Sequence, residues 1–189
     1  MNKQNNELKQ IMKEYRDTYR VMCDASRDRA LKAAAPGTPV PESGKLYGDD
    51  VREEFDSRCR DYRSRVRAIT GTRADELKRK LTDAPSPEAL GAVTLLSMRK
   101  DVTREEIEDL IDRYGDNPQA YKTITSIARE REILGFDPHP VETELRAVED
   151  LEHSMIKTLS AHEAERGHAA DGFLSMIGMN IDNTFPPEE

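Results

Sequence analysis

Along the first third of the chain the apolar positions recur every three or four residues. Over residues 2–35 they are Leu8, Met12, Tyr15, Tyr19, Met22 and Ser26, at intervals of 4, 3, 4, 3 and 4. That is the heptad rhythm of a coiled-coil seam on one long helix. A helix of this length spans about 50 Å at 1.5 Å per residue. Pro36, Gly37, Pro39, Pro41 and Gly44 then stop it, because proline lacks the N–H and clashes with the preceding turn. A second stripe follows at Val51, Phe55, Cys59, Tyr62, Val66 and Ile69. It slips phase near Gly71 and resumes through Ala74, Leu77 and Leu81, which predicts a kink or break at that glycine. Two such helices joined by a Pro/Gly loop predict an antiparallel hairpin over 1–82.

Shorter helices with clear punctuation follow. Ser86 before Pro87 reads as an N-cap and first helical residue, opening a helix through Leu90, Val93 and Leu96 to about Arg99. Thr103 and Glu106 form a capping box, with Val102 and Ile107 as its hydrophobic staple; that helix ends at Gly115. Asn117 before Pro118 opens the next, which is expected to reach Gly135. Past Pro138 and Pro140 a last long helix puts Val141, Leu145, Val148, Leu151, Met155 and Leu159 inward, and Gly167 and Gly172 weaken its end. No segment alternates with period two, so no sheet is expected. The reading is an elongated all-α protein: a long coiled-coil-like antiparallel hairpin (1–82), a short-helix bundle (83–135), a C-terminal helix with an apolar patch (136–182) and a disordered tail (183–189).

Composition sharpens this picture. Of 189 residues, 36% are apolar and 35% charged, with no Trp. So few apolar residues cannot cover both stripes of a lone chain, which predicts a homo-oligomer. The seams expected to hold it are Leu8, Met12, Tyr15, Tyr19 and Met22 with Val51, Phe55, Tyr62, Val66 and Ile69. Residues 1–82 hold 19 Lys/Arg against 14 Asp/Glu, and residues 83–189 hold 10 against 23. This asymmetry suits head-to-tail attraction between copies or a charged partner. The net charge of −8 argues against a dedicated nucleic-acid protein. No apolar run is long enough for a membrane span, the N-terminus is too polar for a secretory signal, and two cysteines fit a reduced, cytoplasmic setting.

Candidate chemistry is sparse. His162-Glu163 begins like a zinc-protease signature, but Arg166 stands where the second imidazole is needed. Glu165 and His168 have the spacing used in di-iron bundles, which need that motif on two helices; the nearest second copy, Asp150 with His153, lies on the same helix. No metal and no cofactor is expected, and the histidines read as solvated helix-face residues. Cys23 and Cys59 read as small core residues. Neither has a histidine in nearby sequence to make it a nucleophile, so no catalytic residue is assigned. Arg60, Arg63 and Arg67 share one helix face and form a possible surface for an acidic partner or nucleic acid. Phe173, Met176, Ile177 and Ile181 share another, with Leu174, Met179 and two glycines nearby; this patch either packs back on the helical body or is a short peptide that docks into a partner.

Residues 89–130 resemble a segment of helical proteins of unknown function encoded among the structural genes of tailed phages and prophages. The likeness lies in Leu95-Leu96-Ser97-Met98-Arg99, Thr103-Arg104-Glu105-Glu106-Ile107, Tyr114, Asn117-Pro118, Ala120 and Ile127-Ala128. It implies a non-enzymatic assembly role, as a head scaffold or minor structural component inside a bacterial host cell, with another assembly protein as partner. The alternative is a nucleic-acid-associated or regulatory helical protein that uses the arginine-rich helix.

Overall fold

The computed structural model describes residues 3–186, and all regular structure among them is helical. The order is α1 (Lys3–Ala33), α2 (Asp49–Thr82), α3 (Pro87–Met98), α4 (Arg104–Tyr114), α5 (Pro118–Glu130), α6 (Pro140–Thr158), the single turn α7 (Ala161–Glu163), a π-helical turn (Ala164–His168) and α8 (Asp171–Thr184). The chain divides into two compact units, one of residues 1–71 with 148–189 and one of residues 72–147. The three-part division expected from sequence therefore gives way to two units. The long helices α2 and α6 each contribute to both.

The discontinuous unit is built on α1. Its stripe meets the stripe of α2 through stacked aromatics: the Phe55 ring lies 5.7 Å from Tyr15 and 5.4 Å from Tyr19. Further along, Thr18 bonds the Tyr62 hydroxyl at 2.8 Å and Glu14 pairs with Arg65. Rising numbers on α1 meet falling numbers on α2, so the two helices are antiparallel. The hairpin does not stand alone. Met155 and Leu159 of the C-terminal segment, and Ile177, Ile181 and Phe185 around α8, are buried in the same unit. Asn5 Nδ2 donates to Asp182 Oδ1 (2.9 Å) and to the Phe185 carbonyl (2.6 Å), which fixes α8 against the start of α1. The tail expected over 183–189 is thus corrected in its first part: Asn183 and Thr184 complete α8, and Phe185 is 2% exposed. Residues 187–189 lie outside the described residues.

The continuous unit folds around Leu96, Ile107, Ile124, Ile127 and Ala128, with Leu110, Tyr114, Ile133 and Phe136 packed on them. Its caps are those the sequence predicts. Ser86 Oγ accepts from Ala89 N, and Thr103 and Glu106 exchange both bonds of the capping box. Asn117 Oδ1 accepts from Gln119 N and Ala120 N. Gly115 N closes α4 on the Ile111 carbonyl at 2.7 Å, and a Cβ there would collide with that oxygen.

Three boundaries differ from the sequence reading. α2 runs unbroken through Gly71, and the phase slip there marks the change of unit. α5 ends at Glu130, five residues before Gly135. Glu132, at φ 62°, takes the left-handed position of the cap, with Ile133 N bonded to the Ala128 carbonyl and Glu132 N to that of Arg129. α6 stops at Thr158 instead of reaching Gly167, because tertiary partners take the groups freed there. Tyr15 Oη reaches the Thr158 and Ser160 carbonyls, Arg63 Nε donates to the Leu159 carbonyl, and Asp56 Oδ1 accepts from Ala161 N.

Candidate interaction surfaces

The stripes expected to join two copies are consumed within one chain. Leu8, Met12, Tyr15, Tyr19, Val51, Phe55, Tyr62 and Val66 are all buried, and Met22 and Ile69 are half-buried. A side chain already covered by its own chain has no apolar surface left to give a partner. The estimate of too few apolar residues failed because it counted two helices, whereas the C-terminal segments cover the same core.

The C-terminal patch is corrected in the same way. Ile177 and Ile181 are fully buried, and Phe173 is half-buried with its ring stacked 4.1 Å from that of His168. Only Met176 and Met179 remain exposed. The helix is tethered by charge at both ends: Asp171 pairs with Arg16 and Arg20 at 3.0 Å each, and Asp182 pairs with Lys9. These pairs join the acidic end of the chain to its basic start, so the asymmetry read as attraction between copies is met inside the fold.

Of the arginine face, Arg63 turns inward to the Leu159 carbonyl, while Arg60 and Arg67 remain exposed. The basic surface is narrower than the sequence suggests.

The titratable groups are mostly committed. Cys23 and Cys59 are buried free thiols, and burial pushes Cys59 up to about 12, with the Asp56 carboxylate adding to the shift. A thiol so raised stays protonated at neutral pH and is a poor nucleophile. His153 and His162 are exposed, as expected, but His139 is buried and His168 half-buried. His139 is 6% exposed; its Nδ1 accepts from Val141 N at 3.1 Å and its Nε2 lies 3.0 Å from the Gly115 carbonyl. Through these two contacts the ring ties the start of α6 to the end of α4. His168 Nδ1 sits 2.7 Å from Glu163 Oε2, within ion-pair reach but outside hydrogen-bond alignment. Among the described residues no group of three His, Cys, Asp or Glu side chains is placed to hold a metal ion. No described helix is long and apolar enough to cross a membrane.

The continuous unit also has a cleft of about 450 Å³ between α5, the connector after it and the start of α6. Lys122, Arg129 and Arg146 line it together with Asp137 and Glu142. Both charge signs are present and the imidazole of His139 is engaged, so it is a polar groove of mixed charge.

No family model, curated protein or solved structure matches the chain.

The surface that sequence reasoning missed is the outer side of α3. Ala89 and Leu96 face the core, but Leu90 is 53% exposed, and Leu95 and Met98 are 67% and 75% exposed. The signal was present in the sequence. Glu88 is the only charged residue among the 12 of α3, whereas α4 carries seven charged residues in 11. A helix apolar all round is one that is covered on every side.

Proposed function

We propose that this protein is a non-enzymatic helical assembly component that works by self-association and by contact with another assembly protein. In the phage setting implied by residues 89–130, it is a head scaffold or minor structural part inside the bacterial host cell. The observation that carries the reading is the outer face of α3, where Leu90, Leu95 and Met98 are exposed together on a helix with a single charged residue. Exposed apolar side chains clustered on one helix mark a contact surface more often than scattered ones do. Light scattering over a concentration series tests it: the apparent mass should rise with concentration. A constant monomer mass up to about millimolar protein, where even a weak association of about 4 kcal/mol would register, overturns it.

The second reading is an acidic-partner or nucleic-acid contact through α2. It is favoured by Arg60 and Arg67, which stand exposed two helical turns apart with no ion pair among the described residues. Retention on DNA or RNA that falls steeply with salt, and falls further in an Arg60→Ala/Arg67→Ala variant, would favour it.

A further inference from the structure

We infer that the cleft between α5, the connector after it and the start of α6 binds a small organic anion, a phosphate or carboxylate carried on an apolar body. Lys122 and Arg129 of α5 and Arg146 of α6 hold the anionic group, and the connector side chains hold the body. The site lies apart from the outer face of α3 and is independent of the assembly reading.

The cations carry the inference. The unit of residues 72–147 has eight arginines. Arg73, Arg99, Arg104 and Arg113 each pair with a carboxylate, and Arg131 donates to the Ser97 and Arg99 carbonyls. Among the described residues the guanidinium groups of Arg79, Arg129 and Arg146 have no such partner. Two of these three line one cleft, and the Lys122 ammonium joins them there, also without an ion pair. Lys122, Ser126 and Arg129 lie at i, i+4 and i+7, so α5 presents them along one face. Arg146 brings its charge from a different helix. Guanidinium groups recognise phosphate and carboxylate through paired N–H donors, and these two have theirs free.

Asp137 and Glu142 line the same cleft. Both lie at its Tyr121 end: burial first, and then these two carboxylates, push the Tyr121 hydroxyl above its ordinary value of 10. Arg129 is eight residues further along α5, a rise of about 12 Å. The far end of the cleft is thus left to the cations. The carboxylates weaken an anion and strengthen a cation, which gives the test its sign.

The connector wall is apolar and fixed. Ile133 and Phe136 line the cleft half-buried, and Leu134 lines it while 65% exposed. Arg104 Nη1 donates to the Leu134 carbonyl at 3.0 Å, and its guanidinium carbon lies 5.3 Å from the centre of the Phe136 ring. Tyr121 Oη donates to the Asp137 carbonyl at 2.7 Å, and the His139 ring anchors the next turn to Gly115. A wall held before the ligand arrives costs little ordering on binding. The volume of about 450 Å³ is that of a small-molecule site.

The test follows the full chain by NMR as 1-naphthyl phosphate, 1-naphthoate, inorganic phosphate or neutral 1-naphthol is added. At least one aromatic anion should give saturable shifts across residues 122–146, with a dissociation constant of about 1 mM or below; the tighter of the two identifies the anionic group. Inorganic phosphate and 1-naphthol each carry half of the chemistry and should bind about tenfold more weakly or worse. Arg129→Ala/Arg146→Ala should weaken the aromatic anion by about tenfold or more and keep the melting temperature, since both side chains are exposed. Arg79→Ala removes the unpaired guanidinium outside the cleft and should change nothing. Asp137→Asn/Glu142→Gln should tighten binding about threefold. No saturable shift up to about 10 mM, or unchanged binding in the Arg129/Arg146 variant, overturns the site. An equal loss in Arg79→Ala reduces it to diffuse attraction by surface charge and also overturns it. Weaker binding once the two carboxylates are neutralised overturns the anion as ligand and gives the cleft to a cation or zwitterion.

Discussion

In the unit of residues 1–71 and 148–189, local ion pairs such as Lys3–Glu7 and Arg58–Glu54 are joined by others between positions far apart in sequence. Arg52–Glu165, Arg16–Asp171 and Lys9–Asp182 span 113, 155 and 173 residues. In the unit of residues 72–147, Arg104–Glu108 and Arg113–Asp109 close within one helical turn, the longest ion pair among the described residues, Arg73–Glu144, spans 71 residues, and three helices begin on side-chain caps of their own. The first unit must close a long loop before its contacts form, which costs entropy and slows folding. The second assembles from local signals. Charge follows the same division: residues 72–147 hold 12 basic and 16 acidic residues, and the other unit holds 17 and 21. Each is −4, so the imbalance between the halves of the sequence disappears once the acidic end lies along the basic start. What the local unit lacks is cover for α3, and there the contact between molecules is expected.

The largest effect that tests this comparison lies in the core of the discontinuous unit. Phe55 is fully buried between Tyr15 and Tyr19. Phe55→Ala should cost about 3–5 kcal/mol through lost contacts and the cavity left behind. The midpoint of urea unfolding should fall accordingly, and hydrogen exchange should show α1 and α8 losing protection together. Protection kept in α8 would break the view that these distant segments share one core. Next in size is Asn5, 3% exposed and bonded to both Asp182 and the Phe185 carbonyl. Asn5→Ala leaves that carbonyl without this donor and should cost about 1–3 kcal/mol. A loss below about 0.5 kcal/mol would show that α8 is held by its apolar face alone.

In the local unit the steps are smaller. Thr103→Ala removes one half of the capping box and should cost about 1 kcal/mol, measured as a lower melting temperature and faster exchange at the start of α4. Glu132→Gly acts in the other direction. Glu132 holds φ 62° at the end of α5, a conformation that strains an L side chain and that glycine adopts freely. The gain should be about 0.5–1 kcal/mol after glycine's greater unfolded-state entropy is deducted. Unchanged stability would mean that the Glu132 side chain contributes a compensating contact.

The contrast also explains what could be read from the chain. The starts of α3, α4 and α5 were legible because a cap is the chemistry of four adjacent residues, and Ser86, Thr103 and Asn117 carry it in full. The burial of Leu8, Tyr15, Phe55 and Val66 was legible from periodicity, but not what buries them, since one apolar face looks the same whether a second copy or α8 covers it. The end of α6 was hidden because the groups that satisfy it, Tyr15, Arg63 and Asp56, lie 96 to 143 residues away. Gly71 gave a true signal for the wrong event: it marks where α2 changes unit, and the helix continues through it. Among site residues, Arg60 and Arg67 stay exposed as read, while Arg63, Ile177 and Ile181 were claimed by the fold.

Acid should separate the two units by the smallest effect. Asp171 is held below its ordinary value of 3.8 by hydrogen bonds from Arg20 and Arg16, and Asp182 by bonds from Lys9 and Asn5. In the local unit Glu106 is held below 4.5 by the Thr103 N–H and Arg99, and Glu88 by its own N–H and the Ser86 hydroxyl. A lowered carboxylate stabilises the fold fully above its unfolded value, and that contribution is lost as pH falls through the lower folded value. Stability should therefore hold down to about pH 4–5 and decline below it. All four carboxylates are in solvent, so each contributes little and salt screens it further. The units differ in what the protons break: the closure of α8 on α1 in one, the first turns of α3 and α4 in the other. An Asp171→Asn/Asp182→Asn variant should flatten the acid decline of α8 protection while leaving that of α3 and α4 unchanged, with exchange followed by NMR from pH 5 to about 2. An acid profile for α8 that is the same in the variant and the wild type would show that the charged tethers do not hold that helix.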